Sequence, residues 1–334
     1  AETSANYTLS VENSFDVWST DPANGGIDII SGGSGSDIII GSTMHDFNTV
    51  NSLNLGNTLS GDAGDDIIIG TNGFITRDDS LAVERIETLF VEWGSNDRID
   101  IGAGMRPSQS RGSDIIIGGT GDDIIHGGWE TKFNLLIGDN GVVVGNDGTS
   151  TANDVWTKEP TWGGSDILIG GAGSDLLIGG TGISDLHTGT NLDGTLSFKN
   201  GVLTITASDH GYLPGQVAFF DFADEAIDDG LFSIASVNNS SFTLEALSWI
   251  GMDLPYLPTS MSSDQLVIRR AGDVISGGRG DDQIIGDGAY VERDPNNKTL
   301  RIRSQNPSYG GHDLIDLFGN RGNDTQIGGH GDDR

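Results

Sequence analysis

Aspartates spaced nine residues apart mark residues 163–182, whose sequence is GGSDILIGGAGSDLLIGGTG. Asp166 and Asp175 each follow a glycine-rich turn and precede a triplet of aliphatic residues. Glycine adopts the positive φ angles that tight turns need, and short aliphatic runs favour β-strands. Carboxylate and backbone carbonyl oxygens are the ligands that calcium, a hard cation, takes. The spacing therefore predicts alternating turns and short strands, with cation ligands in the turns.

This repeat resembles the calcium-binding nonapeptide of RTX proteins, G-G-x-G-x-D-x-U-x, in which U is a large aliphatic residue. Two nonapeptides would make one coil of a solenoid. The resemblance implies that stacked turns share calcium ions and that the aliphatic residue at the eighth position points into the coil. The core of such a coil would be about one side chain thick, so calcium would supply much of its stability. We predict an all-β fold of tandem calcium-binding parallel β-roll units that hold multiple Ca²⁺ ions.

The register of the motif assigns the metal ligands. The carboxylate ligands are predicted to be Asp28, Asp37, Asp66, Asp97, Asp114, Asp123, Asp166, Asp175, Asp273, Asp282, Asp313, Asp324 and Asp333. The carbonyl ligands are predicted to include Gly33, Gly35, Gly119, Gly121, Gly171, Gly173, Gly278 and Gly280. Arg106 stands nine residues after Asp97, where it cannot bind calcium, and Asn134 takes an aspartate position. Asp46 lies in a degenerate turn, and the asparagine-rich residues 47–60 are expected to interrupt the coil.

The composition is strongly acidic and contains no cysteine. The chain has 334 residues, 52 glycines and a formal net charge of −32. Such a charge usually indicates disorder or self-repulsion, but these aspartates keep register with the motif, so we interpret them as ligands for a divalent cation. The charge argues against nucleic acid as a partner, and the lack of cysteine excludes disulfides. The sequence contains no apolar run long enough for a transmembrane segment.

A longer period, of roughly seventy to eighty residues without insertions, groups the nonapeptides into units. Val17-Trp18 and Val155-Trp156 begin two of these units, and a turn such as Gly138-Asp139-Asn140-Gly141 closes them. The predicted units are 1–74, 75–144, 145–191 continued at 268–290, and 291–334. The last residues interrupt a nonapeptide, so we expect the chain to be a piece of a longer array. The organisation resembles very large RTX proteins of Gram-negative bacteria, the adhesins and surface-layer-like proteins, which implies type I secretion and a location at the cell surface or beyond.

Residues 192–267 lose the nonapeptide and gain the alternation of a β-hairpin. Leu196 and Phe198 alternate with polar residues before Asn200-Gly201, a common hairpin turn. We predict a small antiparallel β domain of about five strands, inserted at a loop of the roll. Acidic residues at 221–229 could serve glycoside chemistry, but their crowding into one stretch favours a solvated loop or a further cation site. His210, which precedes a glycine, is interpreted as a turn residue.

The pattern favours a structural role over catalysis. We expect a calcium-dependent extracellular structural or adhesive protein that binds calcium ions and partners with itself or with cell-surface or matrix components. Two alternatives stay open: a non-catalytic RTX carrier region of a secreted hydrolase or lyase, and a module that binds carbohydrate or protein through its inserted domain. The sequence contains no zinc-protease, nucleophile-elbow or P-loop motif, so we expect no enzyme activity.

Overall fold

The computed structural model describes most of the chain. The described residues are 16–43, 56–102, 106–107, 111–145, 154–181, 192–199, 202–208, 210, 212, 214, 217–222, 230–246, 261–269, 272–294, 296–306, 308–315, 321–331 and 333. They form β-strands and turns, and their helical content is the 3-10 turn Pro22–Asn24. Asp46, in the degenerate turn, and most of the asparagine-rich stretch lie outside the described residues.

The strands are numbered in chain order. The first part of the roll contains β1 (Val17–Trp18), β2 (Ile29–Ser31), β3 (Ile38–Ile40), β4 (Thr58–Ser60), β5 (Ile67–Ile69), β6 (Gly73–Arg77), β7 (Val83–Thr88), β8 (Arg98–Ile99), β9 (Ile101–Gly102), β10 (Arg106–Pro107), β11 (Ile115–Ile117), β12 (Ile124–His126), β13 (Leu135–Ile137), β14 (Gly141–Val144), β15 (Val155–Thr157), β16 (Ile167–Ala172) and β17 (Leu176–Gly180). The insertion contains β18 (Leu192–Lys199), β19 (Val202–Thr206), β20 (Val217–Phe222), β21 (Gly230–Asn238), β22 (Ser241–Ala246) and β23 (Met261–Arg269). The roll continues with β24 (Val274–Arg279), β25 (Gln283–Asp287), β26 (Ala289–Arg293), β27 (Thr299–Ser304), β28 (Leu314–Ile315) and β29 (Thr325–Ile327).

The roll is built from two parallel sheets of seven strands. The outer sheet has the order β2-β4-β8-β12-β16-β24-β28, and the central sheet has the order β3-β5-β11-β13-β17-β25-β29. The chain alternates between them, so each coil contributes one strand to each sheet. The coils stack in strict register, as where Ile68 pairs with Ile39 on one side and Ile116 on the other. This arrangement confirms the predicted all-β parallel β-roll.

A third sheet, antiparallel and also seven-stranded, covers the central sheet with the order β1-β6-β7-β14-β15-β26-β27. The sequence analysis did not predict it as a separate layer. Its hairpins leave the roll between a central strand and the next outer strand, as β6 and β7 do between Ile69 and Arg98. The protein therefore has three layers, and the central sheet is buried on both faces.

The aliphatic triplets fit this position because side chains alternate between the faces of a strand. In the triplet Ile67-Ile68-Ile69, the middle residue packs against the outer sheet, and the flanking residues pack against the antiparallel sheet. The predicted thin core inside the coil is present, and a second apolar core lies beside it. Ile86, Val143, Val155 and Val291 of the antiparallel sheet contribute to the second core.

The insertion is a closed antiparallel barrel in which six strands follow the order β18-β19-β22-β21-β20-β23. Its last strand, Met261–Arg269, runs beyond the predicted boundary at 267, and the strand count exceeds the predicted five. Phe220, Phe232 and Phe242 are fully buried and fill the interior with edge-to-face and tilted ring contacts. The barrel thus has an apolar core separate from those of the roll. The unit boundaries given above stay predictions.

One local prediction about the coil needs correction. Residues 47–60 were expected to interrupt it, but Thr58–Ser60 form a strand that pairs with both β2 and β8 in the outer sheet. The spacing after Asp97 was expected to depart from the pattern at Arg106, and the backbone does depart there, in a two-stranded antiparallel pair with Ile101–Gly102. That excursion delays the next central strand until residue 115.

Candidate calcium-binding turns

Two hydrogen-bonded ladders run along the stack of coils, one on each row of turns. In both ladders the backbone N–H of a residue in one coil donates to the side-chain Oδ1 of its counterpart in the next coil. The first ladder, in the turns that enter the central sheet, joins Asp37, Asp66, Asp114, Asn134, Asp175, Asp282 and Asp324. The second, in the turns that enter the outer sheet, joins Asp28, Asn57, Asp97, Asp123, Asp166, Asp273, Asp313 and Asp333.

All the aspartates predicted from the register therefore lie in one of the two ladders. The hydrogen bonds are short, from 2.6 Å between Asn57 and Asp97 to 3.1 Å between Asp313 and Asp333. The nine-residue spacing positions each aspartate directly before its strand, where the parallel pairing brings it beside its counterparts. Their role as calcium ligands stays a prediction.

The ladder uses only one oxygen of each carboxylate. The other oxygen, Oδ2, is buried and accepts no hydrogen bond in Asp37, Asp66, Asp97, Asp123, Asp166, Asp175, Asp273 and Asp313. A buried carboxylate oxygen without a donor is costly, and native proteins supply such atoms with a partner. A cation is a partner that can serve all these atoms in the same way.

Each of these oxygens points into a small cradle in front of a glycine. A methyl group placed on Gly138 would lie 2.2 Å from Asp166 Oδ2 and 2.5 Å from the carbonyl oxygen of Gly179. At Gly170, the corresponding distances are 2.7 Å to Asp175 Oδ2 and 2.6 Å to the Gly277 carbonyl oxygen. The same arrangement of glycine, carboxylate and carbonyl recurs at Gly70, Gly118, Gly179 and Gly286. Carboxylate and carbonyl oxygens converge there, the carboxylate Oδ2 atoms accept no hydrogen bond, and this set of oxygens fits calcium.

The predicted glycines shape the turns. Gly33, Gly35, Gly119, Gly121, Gly171, Gly173, Gly278 and Gly280 all have positive φ, between 93° and 144°. Gly280 also lies so close to the previous coil that a Cβ would stand 1.4 Å from the carbonyl oxygen of Gly173. These positions need glycine both for the backbone angle and for the close stacking of coils.

Burial raises the pKa of the ladder carboxyls. The pKa values of Asp97, Asp123, Asp166 and Asp273 lie well above the ordinary value, because burial penalises the charged form and neighbouring carboxylates add repulsion. Burial likewise raises the pKa values of Asp175 and Asp313 to about 8. Asp175 and Asp313 therefore favour the protonated form up to a higher pH than an ordinary carboxyl, and a divalent cation would compete with their protons.

Two asparagines occupy ladder positions and behave differently. Asn134 accepts from Asp114 N at 3.0 Å through Oδ1, while its Nδ2 has no hydrogen-bond partner. The Nδ2 of Asn57 donates to two carbonyl oxygens, those of Ser42 and Gly70. The sequence analysis identified Asn134 but missed Asn57. Asn57 lies nine residues before Asp66, so the same spacing could have identified it.

Further acidic residues support the turns without belonging to the ladders. Asp139 and Asp287, in the predicted closing turns, are buried, and each accepts hydrogen bonds through both oxygens: Asp139 from Gly164 N and Thr181, Asp287 from Gly311 N and His330 N. From the sequence, these turns were expected only to close the units, and their hydrogen bonds were not predicted.

The aspartates that precede some ladder residues form bonds in the opposite direction. Asp65, Asp122 and Asp281 each accept a hydrogen bond of 2.9 to 3.0 Å from a backbone N–H of the following coil. The two aspartates of each GDD turn therefore have different partners. The first accepts a hydrogen bond from the backbone of the next coil, and the second belongs to the ladder.

Other candidate residues have structural surroundings. His210 lies in the barrel, where Nε2 is 2.8 Å from the carbonyl oxygen of Asn238 and Nδ1 accepts from Tyr212 N. Most of the acidic stretch at 221–229 lies outside the described residues. In the part of the chain that the structure describes, no three acidic or histidine side chains converge on one point.

These features define a class of protein, a parallel β-roll with oxygen-lined turns. A family model described as "RTX calcium-binding nonapeptide repeat (4 copies)" matches residues 23–43, 54–74, 110–130, 163–184 and 271–289. The chain therefore contains RTX calcium-binding nonapeptide repeats. No curated protein and no solved structure matches it. The described part of the chain contains no helix that is long and apolar enough to cross a membrane.

Proposed function

We propose that this chain is a calcium-dependent extracellular structural or adhesive protein, a segment of a secreted adhesin, filament or surface layer of a Gram-negative bacterium. It folds when it binds multiple calcium ions through the ladder aspartates and the carbonyl oxygens of the turns. The observation that carries the proposal is the repeated pairing of a buried, unpartnered Oδ2 with a carbonyl oxygen, as at Gly138 and Gly179.

The same observation supports coupling of folding to calcium. The ligands come from successive coils, so the sites exist only when the coils are stacked, and the binding free energy becomes folding free energy. In cytoplasm, where calcium is scarce, a chain with a net charge of −32 stays open for export. Outside the cell, abundant calcium neutralises the turns and closes the roll.

Association with another copy is part of this proposal. Among the described strands, β1 is at an edge of the antiparallel sheet, and its residues Val17 and Trp18 are 39% and 38% exposed. Ile29, on the edge strand β2 of the outer sheet, is 85% exposed. Edge strands with exposed apolar side chains favour pairing with another chain. A second roll stacked on this end would cover these residues.

We also propose that the chain has no catalytic role. Most of the buried carboxylates in the described residues belong to ladders that repeat from coil to coil, which suits structural cation binding better than a single reactive centre. His210 supports this view because both of its ring nitrogens contact backbone groups of the barrel.

A calcium titration after EGTA treatment tests the proposal. Circular dichroism should show a cooperative gain of β-structure, and native mass spectrometry should show several calcium ions per chain. A chain that is fully folded in EGTA and takes up no calcium would reject the proposal. Sedimentation analysis with and without calcium tests self-association, and a monomer at all concentrations would reject that part.

A further inference from the structure

The cradle beside Gly41 holds the side-chain amide of Asn57, where most of the other cradles hold a carboxylate oxygen. We propose that the side-chain amide of Asn57 takes the place of a calcium ion there, so that this joint between coils is held without a cation. The inference rests on the proposed calcium-dependent folding and concerns which turns take part in it.

Asn57 keeps the ladder intact. It is 1% exposed, its Oδ1 accepts a 2.9 Å hydrogen bond from Asp28 N, and its own N–H donates to Asp97 Oδ1 at 2.6 Å. An aspartate would make the same two bonds. Asparagine and aspartate therefore differ here only in the second terminal atom of the side chain, which is Nδ2 in asparagine and Oδ2 in aspartate.

That second atom is a donor with two acceptors. Nδ2 of Asn57 lies 2.7 Å from the carbonyl oxygen of Ser42 and 3.0 Å from that of Gly70. The bond from Asp28 N to Oδ1 fixes the orientation of the amide, because the atom that accepts from an N–H must be the oxygen. Both amide hydrogens are thus used to join two carbonyl oxygens.

In the next coil, the equivalent cradle is at Gly70, and it holds a carboxylate oxygen instead of an amide nitrogen. A methyl group placed on Gly41 would lie 2.8 Å from Asn57 Nδ2 and 1.9 Å from the Gly70 carbonyl oxygen. One placed on Gly70 would lie 2.6 Å from Asp97 Oδ2 and 2.3 Å from the Gly118 carbonyl oxygen. At Gly70, two acceptors face each other, and a cation satisfies both. At Gly41, the amide already satisfies the carbonyls, and its hydrogens would repel a cation.

An asparagine alone does not make such a link. Nδ2 of Asn134, in the other ladder, also lies at a glycine cradle, that of Gly127 beside the Gly170 carbonyl oxygen, but it forms no hydrogen bond there. The placement of the two carbonyl oxygens around Asn57 is therefore what lets the amide replace the ion.

The test uses the complete chain and the reciprocal variants Asn57→Asp and Asp97→Asn, with Asn57→Ala as a third. Native mass spectrometry at saturating calcium counts bound ions, and thermal unfolding in EGTA measures the metal-free protein. We expect Asn57→Asp to bind one more calcium ion than the natural sequence and to unfold at a lower temperature in EGTA. Asp97→Asn should bind one ion fewer. Asn57→Ala should lower the unfolding temperature in EGTA as well as in calcium.

Distinct results would overturn the inference. An unchanged ion count in Asn57→Asp, together with a reduced count in Asp97→Asn, would show that the cradle at Gly41 does not take a cation even with a carboxylate. An unfolding temperature of Asn57→Ala equal to that of the natural sequence in EGTA would show that the amide does not hold the joint. The natural sequence is measured first. If it binds no calcium, the proposed function itself is rejected, whatever the variants show.

Discussion

The backbone N–H of Asp166 donates a 2.8 Å hydrogen bond to Oδ1 of Asp273, although the two residues are 107 positions apart. The preceding rungs of the same ladder span 26 positions from Asp97 to Asp123 and 43 from Asp123 to Asp166, with distances of 2.7 Å. The geometry of the ladder is therefore independent of the length of the chain between its rungs. Hairpins and the barrel all leave the roll within these turns.

Removal of the barrel should leave the roll able to fold. Replacement of residues 192–269 by a short glycine-serine linker keeps the pairs of β16 with β24 and β17 with β25, which hold the coils together. A shorter loop also costs slightly less closure entropy. We expect the same number of bound calcium ions and a cooperative transition by circular dichroism. Loss of calcium-dependent folding would contradict the view that the barrel is an insertion.

Variants at Asp175 distinguish its role in the ladder, through Oδ1, from its proposed role as a calcium ligand, through Oδ2. Asp175→Asn keeps an oxygen for the N–H of Asn134 but removes the charged Oδ2, so we expect one calcium ion fewer and little change in EGTA. Asp175→Ala also leaves that buried N–H without an acceptor. This loss should lower the free energy of unfolding by a further amount of about 1–3 kcal/mol, both in calcium and in EGTA. Ion counting and chemical denaturation measure the two effects. Equal ion counts in Asp175→Asn and the natural sequence would remove Asp175 from the ligand set.

The metal-free protein should lose stability as the pH rises. The pKa values of Asp175 and Asp313 are raised to about 8 by burial, so both carboxyls bind protons more tightly in the folded than in the unfolded chain. This contribution is complete below the unfolded pKa of about 3.9 and is lost as the pH rises through about 8. Unfolding temperatures in EGTA should therefore be higher at pH 5 than at pH 8.

Calcium should reverse this dependence, because the ion competes with the protons for the same oxygens. Asp175→Asn provides the control, since it should weaken the pH dependence in EGTA by removing one of the shifted groups. If the metal-free protein were equally stable at pH 5 and pH 8, the raised pKa values of Asp175 and Asp313 would be contradicted.

Gly280→Ala should disrupt the stacking of two coils. Gly280 has φ of 136°, and an added Cβ would stand 1.4 Å from the Gly173 carbonyl oxygen. Backbone strain and this contact together should cost about 3 kcal/mol or more. Gly26→Ala is the matched control, because a Cβ there meets nothing within 4 Å and should change stability by less than about 0.5 kcal/mol. Denaturant unfolding in calcium compares them, and similar losses in both variants would argue against close stacking at Gly280.

The sequence predicted the roll because its information is local. Within nine residues, the turn glycines, the aspartate and the aliphatic triplet specify a turn, a ladder residue and a strand. The positions of Asp166 and Asp175 directly before β16 and β17 follow from this register. Asn57 was missed because residues 47–60 were interpreted as an interruption of the coil, although its spacing and the following strand match the repeat.

The antiparallel sheet was not predictable in the same way. Val142 pairs with Glu87 on one side and Trp156 on the other, and Trp156 pairs in turn with Tyr290, far along the chain. These neighbours meet only because the stacked coils bring hairpins from different units to the same side of the central sheet. The sequence alone determined the repeat, its ladder residues and the alternation of turn and strand, since each depends on near neighbours. The tertiary structure decided the third layer, the second core and the carbonyls that surround each ladder side chain, because these depend on which distant segments the stacking brings together.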